Sequence, residues 1–262
     1  MSARSTARPS ALAVVAAFAA VYTIWGSTYL GIKLAVDTVP PFLMAGTRFF
    51  LAGAILYVIA RRRSAVRERL SWVHWRSALI IGACLLLAGN GIVSWSVQYV
   101  NTGLVALLIA TVPLWMALGA PLFGGRRIGL TAALGIAVGL GGVALLLRPG
   151  GAGAAHWETL IVLCSPLLWA AGSLYAQRAP APSQPMLATA MEMLCGGVML
   201  AVFGLARGEL SHLHLNAVTG TSLGAFVYLV LVGSLVGYSA YIWLLYNVSA
   251  TSASTYAFVN PV

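Results

Sequence analysis

The chain has 262 residues, 60% of them hydrophobic and only 8% charged, with a formal net charge of +10. A soluble domain carries about a quarter of its residues as charged side chains. So few charges cannot clothe a water-exposed surface, and hydrocarbon is the natural solvent of this sequence. Nucleic acid is not the implied partner of the basic residues, because they gather in short runs between apolar stretches, as in "RRRSAVRER" at 61–69, where membrane topology needs them.

Residues 1–10 form a polar tail containing Arg4 and Arg8. The apolar run from Ala11 to Leu34 exceeds the roughly 7–15-residue core of a signal peptide, so it reads as a first membrane helix. A span needs about 20 mostly apolar residues. Stretches at roughly 11–34, 41–60, 77–98, 102–123, 128–147, 159–178, 186–206 and 223–246 meet that length, and a ninth begins near Thr251. Links as short as "VNT" near 100–102 and "GGRR" at 124–127 allow only antiparallel neighbours. The expected fold class is an all-α polytopic membrane bundle.

Assigning alternate loops to two faces separates the basic residues. The face of the N-terminus holds Arg4, Arg8, six arginines from Arg61 to Arg76, Arg126, Arg127 and Arg178, eleven in all. The other face holds Arg148, Arg207 and Lys33, which is close enough to a helix end to snorkel. Eleven against three predicts a cytoplasmic N-terminus in a cell membrane.

The sequence also resembles itself. Gly26-Ser27-Thr28-Tyr29 returns as Gly172-Ser173-Leu174-Tyr175, and residues 89–113 lie without gaps on 237–261 at an offset of 148. That alignment pairs Gly89 with Gly237, Trp95 with Trp243, Val100 with Val248 and Pro113 with Pro261. A unit of five helices, an odd number, must re-enter the membrane upside down, an arrangement characteristic of secondary transporters. The expected organisation is a tail (1–10), a first repeat (11–148), a linker (149–158) and a second repeat (159–262). On this reading the second repeat is cut within helix nine, and a natural chain is expected to run about 35 residues further.

With "IWGSTYLGIKLAV", "PPFLMAGTRFFLAG" and "NVSATSASTYAFVNPV", the chain resembles an EamA-type member of the drug/metabolite transporter superfamily, exporter branch, over nearly all of residues 15 to 262. The resemblance implies ten helices in two inverted five-helix repeats, both termini in the cytoplasm, and a small-molecule substrate. The implied partners are that solute and the lipid bilayer, with a homodimer left open. No cofactor and no metal are expected. His74, His156, His212 and His214 fall in loops, His212-x-His214 lacks a third ligand, and no Gly-x-x-x-x-Gly-Lys phosphate loop is present.

Ionisable residues at membrane depth are costly and point to function. Arg48 and Glu192 each lie about 10 Å inside, one from each face. They read either as a charge pair or gating element, with Glu192 a proton carrier, or as a structural ion pair or carbonyl clamp facing away from substrate. Trp25-Gly26-Ser27 and Gly172-Ser173 read as close-packing points. Among the aromatics, Trp95 and Trp243 suit an interfacial belt. Trp25, Tyr29, Trp169, Tyr175, Tyr238 and Tyr241 are candidates for a substrate cavity. Asn90 and Asn260 could bond a substrate or bridge helices, as could Gln98, and Pro113 and Pro261 interrupt corresponding helices and so shape the site. Cys84, Cys164 and Cys195 read as small buried hydrophobes. The function expected is export by alternating access driven by an ion gradient, with protons favoured because no sodium cage is readable in the sequence. A passive channel, a scaffold or, least well supported, an intramembrane enzyme are the alternatives.

Overall fold

The computed structural model describes residues 9–63, 68–123, 129–147 and 157–261. Arg4, Arg8, Arg67, Arg126, Arg127, Arg148, His156 and most of the 149–158 linker lie outside the described residues. In hydrocarbon each backbone polar group must find its partner within the segment, and the described chain accordingly runs from helix to helix. The elements are α1 (Ala11–Ala35), α2 (Pro41–Arg63), α3 (Trp72–Ser96), α4 (Thr102–Phe123), α5 (Leu130–Leu146), α6 (Trp157–Ala176), α7 (Pro185–Ala206) and α8 (Gly220–Asn247). Two short helices follow, α9 (Ala250–Ala253) and α10 (Tyr256–Val259). Seven of these are long and apolar enough to cross a membrane, and α5 is a shorter apolar helix. The third span starts five residues earlier than its hydropathy suggests, because Trp72 and Trp75 tolerate an interfacial turn behind Ser71 at the N-cap.

The core of the bundle is the antiparallel pair α2 and α7. A Cβ built on Gly46 would lie 2.6 Å from Ala201 N, one on Gly53 2.8 Å from Leu194 N, and one on Gly197 2.5 Å from Phe50 N. Only hydrogen fits at such points, so three glycines let two backbones touch, which is where dispersion between membrane helices is strongest. These contacts also map onto one another: adding 148 to Gly46 gives Leu194, and adding it to Gly53 gives Ala201.

A glutamate fastens each end of this pair. Past α7, Gly208 takes a left-handed φ of 76° and turns the chain back. Glu209 then accepts from the backbone N–H groups of Phe42 (3.2 Å) and Leu43 (2.8 Å) at the start of α2. Its carboxylate supplies in trans the cap that Pro40, at the N-cap position, cannot, and its charge suits the helix N-terminus. At the opposite face, past α2, Glu68 accepts from Ser183 N (2.9 Å) and Ser183 Oγ (2.7 Å) just before α7. Arg61 holds that loop by donating to the Glu68 carbonyl at 3.1 Å.

Flanking pairs repeat the same exchange. On one side α1 packs on α8, where Gly31 abuts Leu229, Ser27 Oγ meets Tyr228 OH at 2.6 Å, and Gly237 receives the Trp25 indole. On the other side α6 packs on α3, where Gly172 abuts Leu85 and Cys84, and Gly89 receives the Trp169 indole. Both α3 and α8 carry a π-helical stretch, Gly82–Asn90 and Leu229–Tyr238, again about 148 residues apart. A π turn adds a residue and re-aims the side chains beyond it. Periodicity in the sequence gives no sign of either.

Two packing expectations are corrected. A Cβ on Gly26 would meet nothing within 4 Å, so this glycine is not a close-packing point, whereas Gly172 is. Cys164 is exposed on the helix surface rather than buried, because it precedes the buried Ser165-Pro166 face of α6.

Gly46→Ala and Gly197→Ala should each lower stability by about 1–3 kcal/mol through overpacking. Gly26→Ala should change it by less than about 0.5 kcal/mol. Unfolding of the purified protein in detergent measures all three, and equal losses would contradict the backbone contact.

Candidate functional site: a central polar and aromatic cavity

A cavity of about 50 Å³ lies among helices of both halves. The i, i+3, i+4, i+7 face of α1 supplies Trp25, Thr28, Tyr29 and Ile32. Arg48 enters from α2, Gly89, Asn90 and Val93 from α3, Ile109 and Val112 from α4, and Ser165 and Trp169 from α6. Tyr256 of α10 and Asn260 just past it complete the lining.

Four rings form a layer against this space. Trp25 meets Trp169 edge-on at 5.5 Å, Tyr256 edge-on at 4.7 Å and Tyr241 tilted at 5.0 Å. Tyr241 is the hub: its hydroxyl accepts from Trp169 Nε1 at 2.9 Å and shares a hydrogen bond with Ser173 Oγ at 2.7 Å. Trp25 Nε1 donates to the Gly233 carbonyl at 3.4 Å. The polar tips of Trp25, Trp169 and Tyr241 therefore have partners, which fixes large rings that would otherwise move.

Arg48 is 3% exposed. Its Nε donates to Ser234 Oγ at 2.7 Å in the π stretch of α8, and its guanidinium carbon lies 4.5 Å from the Phe49 ring centroid. Nη1 is buried and has no hydrogen-bond partner among the described residues, and neither has Asn260 Oδ1. The Asn260 amide also faces the Tyr29 hydroxyl.

Glu192 occupies a different environment. It is 2% exposed and accepts from Tyr238 OH at 3.3 Å, with Tyr246 as a second hydroxyl on the carboxylate. Tyr238 in turn packs on Phe49, with ring centroids 6.1 Å apart. The ion-pair reading of Arg48 and Glu192 thus gives way to two separate polar sites, each answered by a hydroxyl of α8, with aromatic rings between them.

Of the cavity candidates, the structure brings together Trp25, Tyr29, Asn90, Trp169 and Asn260. Tyr238 is drawn away to Glu192, Tyr241 backs the aromatic layer instead of lining the space, and Tyr175 is half-buried outside it. Pro113 and Pro261 do not line the cavity either. Pro113 has no N–H to return to the Ile109 carbonyl, and α4 breaks at Ala110-Thr111 so that Ile109 and Val112 reach the space. Pro261 follows Asn260 in the same relation. Outside the cavity, Gln98 faces a wider vestibule of about 410 Å³ together with Asp37, Arg207, Glu209 and His212.

Sequence reasoning missed Thr28, Ser165 and Tyr256. The first two were within reach by helical spacing from Trp25 and Trp169. Tyr256, an aromatic in a run of small residues, had a signal that only the fold interprets.

A polytopic helical bundle with polar groups aimed into an aromatic cavity at its centre has the architecture of a membrane transporter. The EamA-like transporter family matches residues 11–148 and 156–262, and the chain belongs to that family. It is 38% identical over 255 residues to the "uncharacterized inner membrane transporter YedA" of Escherichia coli strain K12, spanning 96% of this chain and 80% of that protein. Protein PagO of Salmonella typhimurium is 26% identical over 222 residues, spanning 80% and 70% of the two chains. A solved crystal structure shares the fold with a TM-score of 0.69 at 18% identity, covering 96% of this chain and 85% of that one.

Tyr241→Phe leaves the Trp169 N–H and the Ser173 hydroxyl without their shared partner. It should cost about 1–3 kcal/mol and shift the tryptophan emission of the purified protein. Unchanged stability and emission would show that Tyr241 is not the hub of the layer.

Proposed function

We propose that the chain is a secondary carrier that exports small organic solutes by alternating access. Its two units, 11–148 and 159–262 joined by a linker at 149–158, are inverted relative to each other and rock about the central cavity. The observation that carries this reading is the exchange of contacts under the 148-residue offset: Gly46 on Ala201 answers Leu194 on Gly53. An antiparallel pair related in this way is what an inverted repeat requires.

The two glutamate fastenings fit the same mechanism. Glu209 joins the halves at one face and Glu68 at the other, so loosening one while keeping the other tilts the units and opens the cavity to one side. Each fastening consists of a carboxylate on backbone or hydroxyl donors, strong enough to hold yet exchangeable with water at the interface. The basic residues favour a cytoplasmic N-terminus, and the chain is assigned to the inner or plasma membrane.

Glu192 is the candidate proton carrier. It is buried in the bundle, faced by the hydroxyls of Tyr238 and Tyr246, with Cys195 of its own helix nearby. A carboxyl gains or loses a proton with little rearrangement there, because a hydroxyl partner can donate or accept. Coupling then needs only that the two proton states favour different tilts of the units.

Cells expressing the chain should tolerate several-fold more of at least one class among toxic amino-acid analogues, aryl acids and cationic amphiphiles. Vesicles preloaded with that compound should take up its labelled form faster by counterflow. Non-saturable uptake without counterflow would make the protein a channel, and absence of both effects would remove the carrier reading. In the same vesicles Glu192→Gln should flatten the pH dependence of transport, and an unchanged profile would exclude Glu192 from coupling.

A further inference from the structure

We propose that the solute is an organic anion that also carries an O–H or N–H donor, and that it docks with its acidic group on Arg48 and its donor on Asn260. The inference rests on the carrier reading above and names the substrate class of that cavity.

The first observation is an unbalanced charge. A guanidinium keeps its charge at neutral pH, and Arg48 holds it 3% exposed in the middle of the bundle. Among the described residues that line the cavity, none is acidic. The buried carboxylate of Glu192 is engaged by Tyr238 elsewhere. Burying a cation without a counterion is costly, and the cost is relieved when an anion arrives. Of the donors on Arg48, Nε is spent on Ser234 and Nη1 is buried and unpaired. A carboxylate on Nη1 makes a charge-assisted bond, the strong kind, in surroundings shielded from water.

The second observation is the Asn260 carbonyl oxygen. It is buried and unpaired and belongs to a residue that lines the same space, while its amide is turned to Tyr29. This acceptor calls for a donor on the ligand and repels a second negative group. The third is the wall: Trp25, Tyr29, Trp169 and Tyr256 offer ring surface and no further charge. At about 50 Å³ the space takes an acidic head group, and the body of the solute enters as the units part. A cationic solute would face Arg48 at close range and is excluded by it. The rings alone would have suggested the opposite preference.

The test is thermal unfolding of the full chain in lipid nanodiscs with mandelate, phenylacetate, phenylacetamide, phenethylammonium and, separately, sulfate. Mandelate should raise Tm most, phenylacetate less, and the neutral amide, the ammonium and sulfate little. Arg48→Gln should weaken mandelate binding about ten- to hundredfold, the worth of a hydrogen bond to a charged group. Without ligand, the same variant should be at least as heat-stable as the parent, because it loses an unpaired buried charge. Asn260→Ala should bring mandelate down to the level of phenylacetate.

Equal stabilisation by the ammonium or amide, mandelate binding that survives Arg48→Gln, or no response to any of the acids would overturn the proposal. Sulfate acting as well as mandelate would make the site one for inorganic anions and also overturn it. Should Arg48→Gln fail to fold, Arg48 is a structural clamp unless Arg48→Lys retains the preference for acid over ammonium at reduced affinity. Counterflow separates the two levels of inference. Counterflow of a neutral or cationic compound alone keeps the carrier and removes the anion, whereas acid binding without transport keeps the anion site and removes the carrier.

Discussion

Everything in this bundle is arranged around one close approach, the antiparallel contact of α2 with α7. Hydrocarbon gives apolar helices no reason to prefer one another over lipid, so association depends on how near the backbones can come. Gly46, Gly53 and Gly197 remove the side chains that would keep them apart. Because the contact lies where the two halves meet, it also fixes their relative depth, and with it which residues of α1, α3, α6 and α8 face each other. The glutamates at its ends turn a packing contact into one fastened at both membrane faces.

From this depth alignment follows the chemistry at the centre. Arg48 lies on the helix that makes the contact, and it reaches Ser234 because α8 packs beside α2 with its π stretch at that level. Glu192 lies on the partner helix and meets Tyr238 at the end of the same stretch. One ionisable residue from each central helix is thus met by hydroxyls of α8, Arg48 by Ser234 and Glu192 by Tyr238 and Tyr246, yet the two sites stay apart. The first faces a cavity and leaves a donor unused, and the second is enclosed. That difference is why we propose different work for them, solute recognition for Arg48 and proton exchange for Glu192.

Much of the fold was legible in the sequence because membrane constraints are strong and one-dimensional. Span length, basic loops and short links placed the helices to within a few residues, and Gly89 with Gly237 and Pro113 with Pro261 pointed to the proposed repeat. The site was legible only in part. Asn90, Asn260, Trp25, Tyr29 and Trp169 were recognisable as polar or aromatic residues out of place in lipid. Nothing in the sequence distinguished Tyr238 and Tyr241 from them, because their roles depend on two π stretches that turn α3 and α8. Nor could charge alone separate Arg48 from Glu192. Two buried residues of opposite sign suggest a pair, and only the intervening rings of Phe49 and Tyr238 show otherwise.

The central claim is that equivalent positions of the two halves emerge on opposite faces of the membrane. Tyr99 and Asn247 end corresponding helices, are separated by 148 residues, and are both exposed. Single cysteines at these positions, Tyr99→Cys and Asn247→Cys in a background lacking Cys84, Cys164 and Cys195, can be treated in intact cells with a thiol reagent that does not cross membranes. The account predicts that Tyr99→Cys reacts at once and Asn247→Cys only after the membrane is opened. Reaction of both from the outside, or protection of both, would contradict it.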